Sequence, residues 1–563
     1  MEIAGEEIQT LSMDHHGLVA AVCKDLGIAE KINSRIGKTD ERRVVSTGKA
    51  AVAMILNGLG FTNRRLYLTH QFFETKPTEI LLDESIKASD ITDYTLGHAL
   101  DEIAEYGSSK LFGEVAFEVA IENNLLGGLA HIDTTSISVD GEYNSRMQDD
   151  EGEPSAIKIT YGHSKDYRPD LKQLVLSLVV NGPSAMPLFM EPLSGNNSDK
   201  VSFHETIKKV EDFKKQINLE KNFKWVADSA LYTADKLLLH NDCLWLTRVP
   251  ETIKEAKDLV KKLECDIEWV QLEKGYKIAS TTSNYGGIEQ RWLLVYSEQA
   301  YAREKKTFEK NLEKKDDALK KILWHLGNEI FDCEKDAESA LKKIVIKNPL
   351  YVITSQVVEV KKYAKKGKPR SGEEKIVVGY KVESSFEINE EGIGKVLNKK
   401  GRFILATNDL DKENYPDHLM LNEYKEQQNV EGGFRFIKDP WFMLDSIFLK
   451  SAKRIEALMM VMTLCLMVYN VAQYKLRKNL KENNVTLPNQ LNKQIQNPTV
   501  KWIFQIMEGI GIIHFYKDKI HDPVRRIVTN ISELRKKIIS LFGETACKMY
   551  GLIQNNPVEI LGM

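Results

Sequence analysis

From residue 127 onward the chain changes rhythm, and that change constrains its fold more than any other feature. Residues 129–139, 173–180, 186–192, 223–227 and 244–249 are short runs rich in Val, Ile, Leu, Phe and Trp, each bounded by turn residues. That is the pattern of strands. A polar helix over about 200–217 separates the third run from the fourth, and a shorter helical stretch precedes the fifth. Three consecutive strands can pair as a meander, while later strands alternating with helices call for crossovers. The expectation is an α/β fold built on a mixed sheet.

The flanks read differently. Residues 1–125 carry apolar side chains at three- and four-residue steps over 18–26, 47–59, 95–106 and 111–123, a helical spacing. Ser46 or Thr47 and Asp93 are the expected N-caps. The helices around Asn63-Arg64-Arg65 and 92–104 fit a helix-turn-helix or a plain bundle with solvated arginines equally well. Residues 251–400 break the strand–helix rhythm. Charged helical sequence at 297–347 lies between strand-like pieces at 292–296, 350–360 and 375–387, so the stretch reads as an α+β insertion. Its run 361–370, KKYAKKGKPR, reads as a solvated loop. Residues 401–407 return to strand and 417–437 to helix, and the remainder reads as helical, broken near Pro488, Pro498 and Pro523.

Composition removes several classes. The formal charge of the 563 residues is −3, which argues against a uniformly basic coat for nucleic acid. The charge is unevenly placed: residues 431–563 hold 19 Lys/Arg and 11 Asp/Glu, a balance of +8 against −11 elsewhere. Placement governs phosphate binding more than the sum does. The longest apolar run, 457–468, is far short of the roughly 20 residues of a spanning helix and reads as a buried core helix with no membrane role. Six cysteines occur without a CxxC pair, fitting thiols of a reducing cytosol rather than a disulfide framework or zinc knuckle. The acidic start, MEIAGEEIQT, lacks the apolar core of a signal peptide, so the expected location is cytoplasmic. Motifs of P-loop enzymes, Rossmann dehydrogenases, zincins and serine hydrolases do not occur. His15 and His16 are adjacent, hence point apart on a helix, and read as surface or capping residues.

Two acids stand where burial is expected. Asp133 lies inside the first strand, LAHIDTTSISVDG, and Asp228 at the end of the fourth, FKWVADSALY. A carboxylate in such a place costs several kcal/mol unless paired or bound to a cation. Ligands of open α/β sheets gather at carboxyl ends of strands. With no Cys or His set nearby, the pair suits an oxygen-seeking cation such as Mg2+, or else caps the following turns. A third acid lies on a helix face. Tyr424, Gln427, Glu431 and Lys438 fall within a stripe about 60° wide at ~100° per residue. Glu431 is followed by Gly432-Gly433, which either weakens the helix or admits a close neighbour.

These residues carry a resemblance. The frame Tyr424, Glu431, Lys438 resembles the Tyr-(2)-Arg-(3)-Glu-(6)-Lys signature of one branch of the DDE transposases of bacterial insertion sequences, with Gln427 in place of the Arg. HIDTTSISVDGEY and YGHSKDYRPDLKQL resemble that family's first catalytic strand and its sequel. PLSGNNSDK and VADSALYT resemble the next two blocks, and GRFILATND with VEGGFRFIKDPWF the block bearing the last Glu. The similarity covers about 130–250 and 400–470.

The resemblance implies an RNase H-like mixed-sheet catalytic core in two parts, 126–250 and 401–475, interrupted by the insertion at 251–400. Around it lie a helical N-terminal region, 1–125, with a role in binding DNA ends, and a helical C-terminal region, 476–563. It implies Asp133, Asp228 and Glu431 as catalytic residues holding two Mg2+ ions, with Mn2+ as a substitute. Tyr424, Gln427, Arg435 and Lys438 are the implied DNA contacts, and Trp292 is a candidate platform for an unstacked base in a hairpin intermediate, or else a core residue. The implied partners are double-stranded DNA, both terminal repeats and target, and a second copy of the chain on DNA. A DNA-binding protein that no longer cuts, and a nuclease without strand transfer, are the alternatives.

Overall fold

The computed structural model describes residues 2–3, 6–37, 43–61, 68–139, 143, 157–239, 242–364, 374–439, 449, 451–516, 523, 525–553 and 558–560. The chain is mixed α/β and divides into two compact units, 1–245 with 422–563, and 246–421. The Asn63-Arg64-Arg65 segment lies outside the described residues, as do 365–370 of the basic loop and the 440–442 end of the last block quoted above.

After a two-residue strand at Glu2–Ile3, the main elements at the start of the first unit are strand β1 (Glu6–Ser12), α1 (His16–Asp25), α2 (Ile28–Ile36), α3 (Thr47–Gly58), α4 (Asp93–Tyr106) and α5 (Ser108–Glu122). Ser46 caps α3 by accepting from the Lys49 amide. Thr92, rather than Asp93, caps α4, accepting from the Thr95 amide. His15 and His16 are not surface residues: both are buried, stacked at 4.4 Å between ring centroids, and His15 stacks in turn on Phe504 at 4.3 Å. Their place between α1 and a distant helix is a tertiary fact that adjacency in sequence does not carry.

The central strands follow: β2 (Leu129–Val139), β3 (Lys172–Asn181) and β4 (Met186–Ser194), then α6 (Asp199–Gln216) and β5 (Lys224–Ala227). They stand in the order β4-β3-β2-β5. β2 to β4 form an antiparallel meander, and β5 joins β2 in parallel after the α6 crossover. Both faces of this sheet are covered. α6 lies on one, where Thr206 meets Ser177 at 3.2 Å and Glu211 accepts from the Trp225 indole at 3.2 Å. Strands covered twice lose the in-out alternation, and β3 and β4 are buried at nearly every position.

β6 (Leu244–Val249) leads into the second unit. There, residues 246–249 pair with β11 (Arg402–Thr407), which pairs with β8 (Gln290–Ser297), itself beside β7 (Tyr276–Ser283). The charged sequence forms α7 (Glu298–Asn328) and α8 (Glu334–Lys347), packed on a two-stranded ribbon of β9 (Tyr351–Lys362) and β10 (Ile376–Ile388). Leu319, Leu323, Leu326, Ala337, Tyr351 and Val382 are the core of that half.

The expected helix 417–437 is two helices, α9 (Asp417–Lys425) and α10 (Gln428–Ile437), with a turn at Glu426-Gln427. α11 (Ala452–Glu482) is long and apolar enough to cross a membrane by length and composition, yet 83% of its most apolar window is buried inside the protein. It is the core helix of the first unit. The terminal regions are not wholly helical. β12 (Gly511–Tyr516) pairs antiparallel with β1 on one side and with β13 (Arg525–Thr529) on the other. A strand whose partner lies about 500 residues away has no local signature to mark it.

Candidate active site

The site grows from the register of β2 against β5. The parallel pairs are Leu129 with Lys224, Ala130 with Trp225 and His131 with Val226. Continued by two residues, the same register sets Asp133 beside Asp228, the first residue past β5, on strands ~4.8 Å apart. Register partners share a face, so both carboxylates belong to the face of His131. The Asp228 Oδ1 accepts from the Ala230 amide at 2.8 Å, a side-chain turn that ends the strand. The Asp133 Oδ1 accepts from the Thr134 amide at 2.7 Å and lies 3.8 Å from the Lys165 Nζ. That ammonium is held by the Thr134 carbonyl at 2.7 Å and the Thr134 hydroxyl at 2.9 Å.

Helix α10 covers this same face. The Gln427 amide group donates to the Ile132 carbonyl at 3.0 Å, and its oxygen pairs with the His131 Nδ1 at 3.1 Å. Because the Gln427 amide group is spent on a carbonyl, His131 Nδ1 must carry the proton and donate. Burial lowers the His131 pKa to about 4, its bond to Gln427 opposing the shift, so the imidazole is neutral at pH 7. Among the described residues its Nε2 has no hydrogen-bond partner, and the Glu426 carboxylate stands 3.9 Å away. Burial and then Glu423 raise the Glu426 pKa. Six residues on, a Cβ on Gly433 would lie 3.0 Å from Leu466 and 3.6 Å from Leu178. Leu178 is the β3 partner of Asp133. The helix therefore starts over His131 and runs toward the row of Asp133, with Glu431 between the two anchors. Gly433 answers the question raised by the glycine pair: the helix holds, and the missing side chain lets it lie close to β3 and α11.

Each expected site residue can now be placed. Asp133 and Asp228 are half-buried, each two residues beyond the last printed pair of its strand, His131 with Val226. Glu431 is exposed, one turn beyond Gln427. Gln427 is 8% exposed and its amide is taken up by β2, so its side chain docks α10 on the strand. Tyr424 is half-buried on α9, before the turn, and Arg435 is exposed on α10. Lys438, at the end of α10, grips the Asp166 carboxylate with both oxygens, at 2.7 and 2.8 Å. Trp292 is not a free platform. It is 2% exposed within β8, paired with Thr281 and Ala406, and its indole donates to Gln290 at 3.2 Å. The sequence reading missed His131, Lys165 and Asp166. His131 was legible in principle, two residues from Asp133 and so on its face; the two loop residues needed the fold.

Two aspartates suit a hard divalent cation by donor type. Among the described residues no group of three or more His, Cys, Asp or Glu is arranged to hold a metal ion. The aspartate pair fits such an ion from one side, and Glu431 joins only if its exposed side chain turns back toward the strand.

Residues 8–117 match the family described as "Domain of unknown function (DUF4277)". No curated protein sequence matches the chain. Among solved structures, the chain is similar to a piggyBac transposase in a synaptic complex with hairpin DNA, at 10% identity and a TM-score of 0.36, over 89% of this chain and 82% of that one.

Proposed function

We propose that the chain is a metal-dependent DNA transposase of the DDE kind, with an RNase H-like core and Asp133, Asp228 and Glu431 as its three carboxylates. The observation that supports it most is the register of β2 on β5. Extended by two residues it would bring together two acids 95 residues apart in sequence, on the face where Gln427 docks the helix that bears the third. Bound divalent ions, Mg2+ or Mn2+, supply activation of the attacking hydroxyl and stabilisation of the leaving oxygen in an in-line displacement. The two aspartates hold the cations from the sheet, and Glu431 closes the set from α10. Arg435 offers charge to phosphates at the exposed end of that helix, Lys438 joins it where DNA displaces Asp166, and Gln427 holds the helix down. On this reading the element is cut and pasted through a hairpin, by two copies of the chain that hold both ends, in the cytoplasm.

The test is a cleavage assay on a plasmid carrying the DNA that flanks the coding sequence on both sides. Wild type is expected to cut at two sites with Mg2+, not with EDTA, and to join the 3′ ends to a second plasmid. Asp133→Asn, Asp228→Asn and Glu431→Gln abolish both steps. Cutting that survives Asp133→Asn sinks the proposal. Cutting without joining makes the protein a nuclease, and binding without cutting makes it a DNA-binding scaffold.

A further inference from the structure

Helix α7 of the second unit carries eight Lys/Arg and six Asp/Glu, and their placement is not random. With Lys306 at 0° and ~100° per residue, Arg303, Lys306, Lys310, Lys314, Lys321 and Trp324 fall between about 0° and 80°. The buried Leu319, Leu323 and Leu326, with the partly buried Leu312, fall at about 200–260°, diametrically opposite. The stripe therefore points straight away from the core of this half. All six side chains are exposed, Trp324 to 66%. Among the described residues none of the five cations makes an ion pair, although Lys305, Lys320 and Lys400 pair with acids at Glu309, Asp317 and Glu304. Only one acid, Asp317, falls within the stripe, and Lys320 is 3.7 Å from it.

We propose that this face of α7 is a sequence-independent binding surface for the backbone of duplex DNA. The stripe runs about 32 Å from Arg303 to Trp324 at 1.5 Å per residue. A row of unpaired cations of that length meets a matching line of charge on a nucleic-acid strand, with one phosphate per ~3.4 Å. Four of the five are lysines, point charges on flexible stems that tolerate any register and read no bases. The exposed indole at one end offers a face for a base or sugar where the duplex opens. The inference rests on the proposed action on DNA.

The experiment compares two triple variants of the full chain with equal loss of charge. Lys306→Gln/Lys310→Gln/Lys314→Gln empties the stripe; Lys305→Gln/Lys315→Gln/Lys320→Gln removes three cations from other faces of the same helix. Circular dichroism checks that both are folded, and fluorescence anisotropy follows a labelled blunt duplex from 50 to 200 mM salt. Each lost phosphate contact lowers the slope of log K against log salt by about 0.9, so the stripe variant's slope falls by about 2.7. Wild type then loses about 40-fold more affinity across that range than the stripe variant does. The control changes the slope by less than about 1. Equal slopes for the two triples overturn the inference and leave the function proposal standing. A wild type that binds no duplex overturns both.

Discussion

The Gln427 side chain is the most informative single group to remove. Its amide makes two hydrogen bonds to β2, at 3.0 Å to the Ile132 carbonyl and 3.1 Å to His131, in a place only 8% exposed. Gln427→Leu keeps most of the volume and deletes both. His131 then holds a buried proton on Nδ1 without its acceptor, in a ring whose other nitrogen lacks a hydrogen-bond partner among the described residues. An orphaned buried donor costs about 1–3 kcal/mol and the lost carbonyl bond about 0.5–1.5 kcal/mol, giving about 2–4 kcal/mol in all. Gln427→Ala adds a small cavity and costs more. Urea denaturation followed by tryptophan fluorescence measures the loss, and hydrogen exchange at 428–437 shows whether it is felt as undocking of α10. A Gln427→Leu protein within 0.5 kcal/mol of wild type (about the scatter of a neutral surface change), with unchanged exchange in α10, refutes the docking argument. Glu431 would then be held by something else.

Three further outcomes follow from the geometry. Among the described residues nothing stands within 4 Å of a Cβ at Gly432, whereas at Gly433 it meets Leu466 at 3.0 Å. Gly432→Ala should therefore stabilise by about 0.5–1 kcal/mol and Gly433→Val destabilise by about 1–3 kcal/mol, and thermal melts that rank them the other way contradict the packing. Trp292→Ala should cost about 3–5 kcal/mol as a core truncation; a folded, equally stable variant would return Trp292 to the surface. His15, His131 and His514 are buried, with pKa values lowered to about 4, burial being the main cause in each. The unfolded chain, with histidines near 6.5, binds more protons between those values, so this stability is complete above about pH 6.5 and lost as pH falls toward 4. At pH 5 each contributes a deficit of about 2 kcal/mol. A urea midpoint that is the same at pH 5 and pH 7.5 would count against all three.

Local pattern carried much of this architecture. The five strand runs, the crossover helix between the third and fourth, and the charged helices of the second unit all emerge near their expected positions. Period-two and period-3.6 spacing of apolar side chains is written residue by residue. The two anomalous acids were visible for the same reason: each breaks a run fit for burial. Where partners are distant, the pattern was silent. The strand Glu6–Ser12 needs Gly511–Tyr516 to exist, and His15 needs Phe504 to be buried. The face of Trp292 was undetermined until Thr281 and Ala406 flanked it.

By itself, then, the sequence determined the central strands, the crossover helix and the charged helices of the second unit, and which carboxylates are out of place in the strands. Only the tertiary structure decided that β2 and β5 pair in parallel through His131 and Val226, that the helix of Glu431 begins after a turn at Glu426-Gln427 and docks on β2, and that Gln427 faces inward. Those are choices of pairing and packing between segments far apart in the chain. Their energies come from hydrogen bonds and buried contacts that no one segment contains.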